Sequence, residues 1–149
     1  WYINTNQTYT YDASAGTVTA AYGTATAKAH ADTLFTAQDE TDGLGTEGEV
    51  KVEGLKTRLI RRVKAQAEGL LNQTDWYITR KAEKNTAIPS AITTWRDGIR
   101  TKQAAMETSI TNASNTPALE TLYTYVNTAD EGEPVVMARP LGEFPELGS

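Results

Sequence analysis

Helical periodicity, cut into segments by turn residues between Leu55 and Val126, constrains this chain more than any other feature. In the first segment Leu55, Leu59, Ile60, Val63, Ala67, Leu70 and Leu71 recur mainly at steps of three and four. Lys56, Arg58, Arg61, Arg62 and Lys64 cover its other side, the pattern of an amphipathic helix. Asn72-Gln73-Thr74 interrupts it, and Thr74 or Asp75 is placed to N-cap a short helix from Trp76 to Glu83. A third helix is expected from Pro89, whose fixed φ suits a first turn. Its apolar positions Ile88, Ile92, Trp95, Ile99, Met106 and Ile110 lie close to a heptad seam. Asn112-Ala113-Ser114-Asn115 ends that helix. Thr116 then caps a fourth, with Pro117 at its first position and Leu119, Leu122, Tyr123 and Val126 as its stripe.

The residues before Gly54 have another texture, rich in Thr, Ala, Gly and Tyr. Thr8–Tyr11 and Thr17–Tyr22 favour strands, and the Asp12–Gly16 loop between them signals a hairpin. Trp1-Tyr2-Ile3 adds a third strand or an edge. Strand alternation puts Tyr9 and Tyr11 on one face and Thr8 and Thr10 on the other. A lone hairpin is marginal in water, so the tyrosine face is expected to pack on something. From Gln38 to Gly54 the chain is acidic and glycine-rich, and reads as a long loop in which Val50 and Val52 form a strandlet. Beyond Ala129, Pro134, Pro140 and Pro145 forbid a continuous helix.

The expected fold is α+β: a small antiparallel hairpin unit, then a three- to four-helix bundle, then an extended C-terminal arm. The parts are a β-rich 1–54, a helical 55–127 and an arm over 128–149. Val135, Val136, Met137, Leu141, Phe144 and Leu147 are too apolar for a solvated tail, so the arm is expected to bind a partner's sheet edge or groove, the alternative being that it folds back across its own helices.

Few groups are available for chemistry. The chain has no cysteine and one histidine, which excludes disulfides, thiolate sites and a multi-His metal site. A net charge of −5 argues against nonspecific binding to nucleic acid or to an anionic membrane. No run approaches the roughly 18 apolar residues of a membrane span, and Trp1-Tyr2-Ile3-Asn4-Thr5 lacks the basic start of a secretory leader. An EF-hand frame with Gly43 sixth puts Glu40 third, Asp42 fifth and Glu49 twelfth. That frame requires a carboxylate where Gln38 stands and an apolar residue where Gly45 stands, so no metal is expected. His30 near Asp32 could form a His–Asp pair but is read as a surface histidine, and no nucleophile-elbow, P-loop or dinucleotide motif occurs. No catalytic residue and no cofactor is expected. The cluster from Lys56 to Lys64 reads as a solvated face. Trp76 and Trp95, each among apolar neighbours, are both expected in the core.

The segment Leu70-Leu71-Asn72-Gln73-Thr74-Asp75-Trp76 resembles an element of bacteriophage tail-fibre assembly (tail assembly chaperone) proteins. That family carries Leu-Leu-x-x-(Thr/Ser)-Asp-Trp, a loop often containing proline, then a helix with a Tyr-Arg or Trp-Arg pair and a second Arg four residues later. Pro89, Trp95-Arg96 and Arg100 take those places, so the resemblance covers Leu59 to about Lys102. Departures are the longer, more basic stretch from Ile78 to Ala87 and the helix and tail that follow. The Thr-Asp-Trp element also resembles modules of small virion-associated phage proteins.

The resemblance implies a non-enzymatic phage tail or tail-fibre protein, an assembly chaperone or a retained virion adaptor. Its place would be the virion tail, or the host cytoplasm during assembly. Its partner would be a tail-fibre or tail protein, with copies of itself as a further partner. In this reading Thr74 caps a helix that Trp76 anchors, and Arg96 and Arg100 share a face that holds a carboxylate or carbonyl. The alternatives are a virion-associated hydrolase using the acidic loop, or a structural capsid or neck protein.

Overall fold

A computed structural model describes residues 1–4 and 6–148. The described chain opens with strands β1 (Tyr2–Ile3), β2 (Gln7–Asp12), β3 (Thr17–Tyr22) and β4 (Thr26–Ala27). Strand β5 (Thr33–Leu34), helix α1 (Ala37–Thr41) and strand β6 (Val50–Val52) follow. Helices α2 (Leu55–Asn72), α3 (Asp75–Lys84), α4 (Ser90–Asn112) and α5 (Thr116–Tyr123) come next, then strands β7 (Val126–Asn127) and β8 (Met137–Ala138). The fold is α+β, a hairpin followed by a helical region. Among the described residues the strands form four separate antiparallel pairs, β1–β4, β2–β3, β5–β6 and β7–β8.

The β2–β3 hairpin has local causes. The Asp12 carboxylate accepts from the backbone N–H groups of Ser14 and Ala15 and from the Ser14 hydroxyl, which folds the turn. Gly16 closes it at φ +63°, where a side chain would be strained. In register, Tyr9 faces Ala20, Tyr11 faces Val18 and Gln7 faces Tyr22. Every residue of both strands is exposed. No described part of the chain packs on the tyrosine face, so whatever covers it lies outside this chain's described residues.

The core lies between α2 and α4. Leu59, Val63 and Ala67 meet Trp95, Ile99, Met106 and Ile110, and Leu119 of α5 seals one end. Helix α2 begins at Gly54, which has no side chain to cap it. Asp32 does this from 22 residues away: its carboxylate accepts from the Gly54 N–H at 2.6 Å and from the Thr57 hydroxyl at 2.7 Å. A carboxylate at a helix N-terminus answers both the free N–H groups and the helix dipole. Those bonds, Thr57's first, hold the Asp32 pKa below the usual carboxylate value. A Cβ on Gly54 would lie 2.3 Å from the Ala31 carbonyl, so only glycine lets the two backbones meet there.

Several element boundaries differ from expectation. The acidic loop contains a short helix, α1, closed by a reciprocal cap in which Thr36 and Asp39 each bond the other's backbone N–H. Pro89 is the N-cap of α4 rather than its first helical residue. Asn115, not Thr116, caps α5 by accepting from the Ala118 N–H. The Thr116 hydroxyl instead donates to the Lys28 carbonyl at 2.6 Å, joining the bundle to the N-terminal part. Val126 lies beyond the end of α5 and pairs with Ala138 in β7–β8.

Over 128–148 the chain is extended and free of helix, but it folds back on its own helices rather than reaching out as a binding arm. Leu141 is buried in the core and Phe144 packs on both core clusters. The Leu141 N–H donates to the Leu122 carbonyl, and the Pro145 carbonyl accepts from the Trp95 indole N–H at 2.9 Å. Prolines exclude a helix, but they leave an extended chain free to bond a neighbour, and here the neighbours are the chain's own helices.

Candidate functional site

The family-like residues converge where α2 ends. The last carbonyls of a helix have no partner within it, and at Leu71 the partner comes from α4. The buried Arg96 Nη1 donates to the Leu71 carbonyl at 2.9 Å and to the Thr74 hydroxyl at 2.7 Å. It also lies 2.8 Å from the Asp75 carboxylate. Thr74 is buried, and its hydroxyl donates in turn to the Leu71 carbonyl at 3.1 Å. A buried guanidinium needs a counter-charge and acceptors for its protons, and this arrangement supplies both. The cluster braces three helices through one side chain.

This geometry changes two of the expected roles. Thr74 stands at the N-cap of α3 but makes no side-chain cap bond; its hydroxyl accepts from Arg96 and donates to the Leu71 carbonyl. Arg100 stays out of the brace: its guanidinium pairs with Asp97 at 3.1 Å, and both side chains are largely exposed.

The two tryptophans part company. Trp95, 7% exposed, packs with Ala67 and Ile99 against Leu70, Leu71 and Phe144. Trp76 is 51% exposed, which corrects its assignment to the core. Neighbouring helical residues are about 100° apart around the axis. With Asp75 turned to Arg96, Trp76 faces away from the brace and joins neither core cluster. Its ring stacks on Tyr77 with centroids 3.7 Å apart, and the Arg80 guanidinium lies 4.9 Å from the Trp76 ring and 5.3 Å from that of Tyr77.

The six apolar residues expected to bind a partner do not form one surface. Leu141 and Phe144 belong to the core, whereas Val135, Val136, Met137 and Leu147 are exposed. A groove of about 730 Å³ runs between the first turns of α4 and the C-terminal segment, lined by Ile92, Trp95, Gly98, Pro145 and Leu147 among others. Glu146 is its one ionisable lining residue among those described.

Elsewhere the acidic groups serve local structure. Lys51 bonds Asp39 at 2.5 Å, and this bond, with the Thr36 N–H and hydroxyl, lowers the Asp39 pKa to about 2. Asp42 accepts from Gln38 and Glu40 from the Glu47 N–H. Among the described residues no group of three or more His, Cys, Asp or Glu side chains is placed to hold a metal ion. Both oxygens of Asp32 face α2, so Asp32 is engaged away from a His30 pair. In the basic cluster Lys56 bonds the Thr111 carbonyl, Arg61 pairs with Glu53 and Lys64 with Glu107. No described helix is long and apolar enough to cross a membrane.

Sequence reasoning missed Asp32 as a cap, since nothing local marks a residue that caps a helix 22 positions on. It also missed the Trp76–Arg80 stack, whose signal is the i, i+4 spacing of an aromatic and a cation on one helix. Comparison of the chain with protein-family models, with curated proteins and with solved structures finds no match.

Proposed function

We propose that this chain is a non-enzymatic bacteriophage tail or tail-fibre protein. It binds a neighbouring fibre or tail subunit, either as an assembly chaperone or as an adaptor kept in the virion. It acts in the host cytoplasm during assembly or in the virion tail. One observation carries the reading. The residues that resemble the phage family, Leu71, Thr74, Asp75 and Arg96, bond to one another as a brace between helices. Their polar groups hold a shape, which is what a binding module requires of them. The surface offered to the subunit is the β7–β8 end, where Val135, Val136 and Met137 stand exposed, with no cover among the described residues.

The test is capture of the tail or fibre subunit from infected cells by the tagged chain, beside mass spectrometry of purified virions. The expected result is a complex that Val136→Asp abolishes without changing the melting temperature. Presence of the chain in virions identifies an adaptor, and presence in lysate alone a chaperone. A chain that captures no tail or fibre subunit and is missing from virions overturns the proposal.

A further inference from the structure

The β2–β3 hairpin carries an uncharged face with no cover among the described residues. On it Tyr9, Tyr11 and Tyr22 are each 65% exposed and Val18 63%. Cross-strand partners share a face, so Gln7, Tyr9 and Tyr11 lie there with Tyr22, Ala20 and Val18, while threonines fill much of the reverse side. Asp12, at the far tip, is the one charged side chain in residues 1–27, although the chain as a whole carries −5. Such a face gives an unlike partner no charge to recognise. What it offers is shape.

The shape is complementary to itself. Each cross-strand row sets a large residue beside a smaller one: Tyr9 by Ala20, Tyr11 by Val18, Tyr22 by Gln7. A twofold axis parallel to the strands, midway between two facing hairpins, lays β2 of one copy over β3 of the other. Tyr9 of each copy then fills the hollow over Ala20 of its mate, and Tyr11 covers Val18. This is the aligned packing of two sheets about 10 Å apart. The area suffices. A fully exposed tyrosine offers about 200 Å², so three at 65% exposure, with Val18, offer at most roughly 500 Å² per copy. Two copies together reach the ~1,000 Å² that a specific interface must clear.

We infer that the tyrosine face of β2–β3 is a dimerisation surface, and that its occupant is the same face of a second copy of this chain. The inference stands independently of the tail-protein reading, because it rests on the hairpin alone.

Sedimentation of the full chain from micromolar to millimolar concentration tests it. The wild-type mass is expected to rise from monomer to dimer. Ala20→Arg, which fills the hollow and keeps all three tyrosines, is expected to raise the dimer dissociation constant about tenfold or more, as is Tyr9→Asp. Thr10→Asp, on the opposite face, is expected to dimerise as the wild type does. Ala20→Arg keeps the test decisive if Tyr9→Asp unfolds the hairpin. A wild-type chain that stays monomeric at millimolar concentration overturns the inference and leaves the face to a different protein. A trimer, or an Ala20→Arg dimer of undiminished strength, overturns it as well.

Discussion

The N-terminal ribbon and the α2–α4 pair draw their stability from different sources. In the ribbon the backbone bonds of β2–β3 and the Asp12 turn are complete, yet every side chain of both strands faces solvent. Its structure is local and buries almost nothing. In the helical pair the backbone is equally satisfied, but Ile99, Ala67 and Ile110 are fully buried and Met106 and Val63 nearly so. Net backbone hydrogen bonding contributes modestly, because water competes for the same groups. Burial of apolar surface stabilises the pair more. Aromatic content alone therefore does not locate a core: the exposed ribbon tyrosines and the buried Trp95 are both aromatic, and only the second is held by neighbours.

The largest expected effect separates the two regions directly. Trp95→Ala is expected to lower unfolding free energy by about 3–5 kcal/mol in urea denaturation. Tyr11→Ala, measured on dilute monomer, and Trp76→Ala should each stay within about 0.5 kcal/mol of the wild type. A Tyr11→Ala loss as large as that of Trp95→Ala would mean the ribbon packs on the helices in solution, and the contrast would fail.

A smaller effect tests the brace at the end of α2. Arg96→Lys keeps the charge but cannot reach the Leu71 carbonyl, the Thr74 hydroxyl and the Asp75 carboxylate together. A loss of about 1.5–3 kcal/mol is expected, with the β2–β3 amide resonances unmoved. Resonance shifts in the ribbon on this substitution would show that the two regions are coupled.

The smallest effect lies outside both regions, at the α1–β6 corner. Asp39 titrates at about 2 in the folded chain, because Lys51 and Thr36 bond its charged form. An unfolded aspartate titrates near ~3.9. The depressed folded value means that Asp39 contributes stability above about pH 4, and that this contribution fades as pH falls toward 2. An NMR titration of the Asp39 carboxyl should find its midpoint near 2, and Lys51→Met should move that midpoint upward. A wild-type midpoint at the ordinary aspartate value would remove the Lys51 bond from solution.

Much of the secondary structure was legible because its causes are close in sequence. The stripe from Leu55 to Leu71 marked α2 to within a residue, and the turn residues Asp12 and Gly16 placed the hairpin. The α1 helix escaped because glycine and acidic content hid the Thr36–Asp39 cap. The end of α5 escaped because Val126 continues the helical spacing, although its backbone pairs with Ala138 instead. Of the candidate site, the sequence marked Thr74, Asp75 and Arg96 as one group, but assigned the wrong task to Thr74 and included Arg100 and a buried Trp76.

By itself the sequence determined the helices α2 to α5 in outline and the β2–β3 hairpin. Apolar periodicity, caps and turn residues act over three or four positions, where the chain has little choice of neighbour. The tertiary structure decided the rest: that Asp32 caps α2, that Arg96 takes the Thr74 hydroxyl, that Leu141 folds into the core and that Tyr9 and Trp76 do not. Burial and long-range hydrogen bonds depend on which face another segment covers. That is fixed by chain dozens of residues away, so no local pattern can carry it.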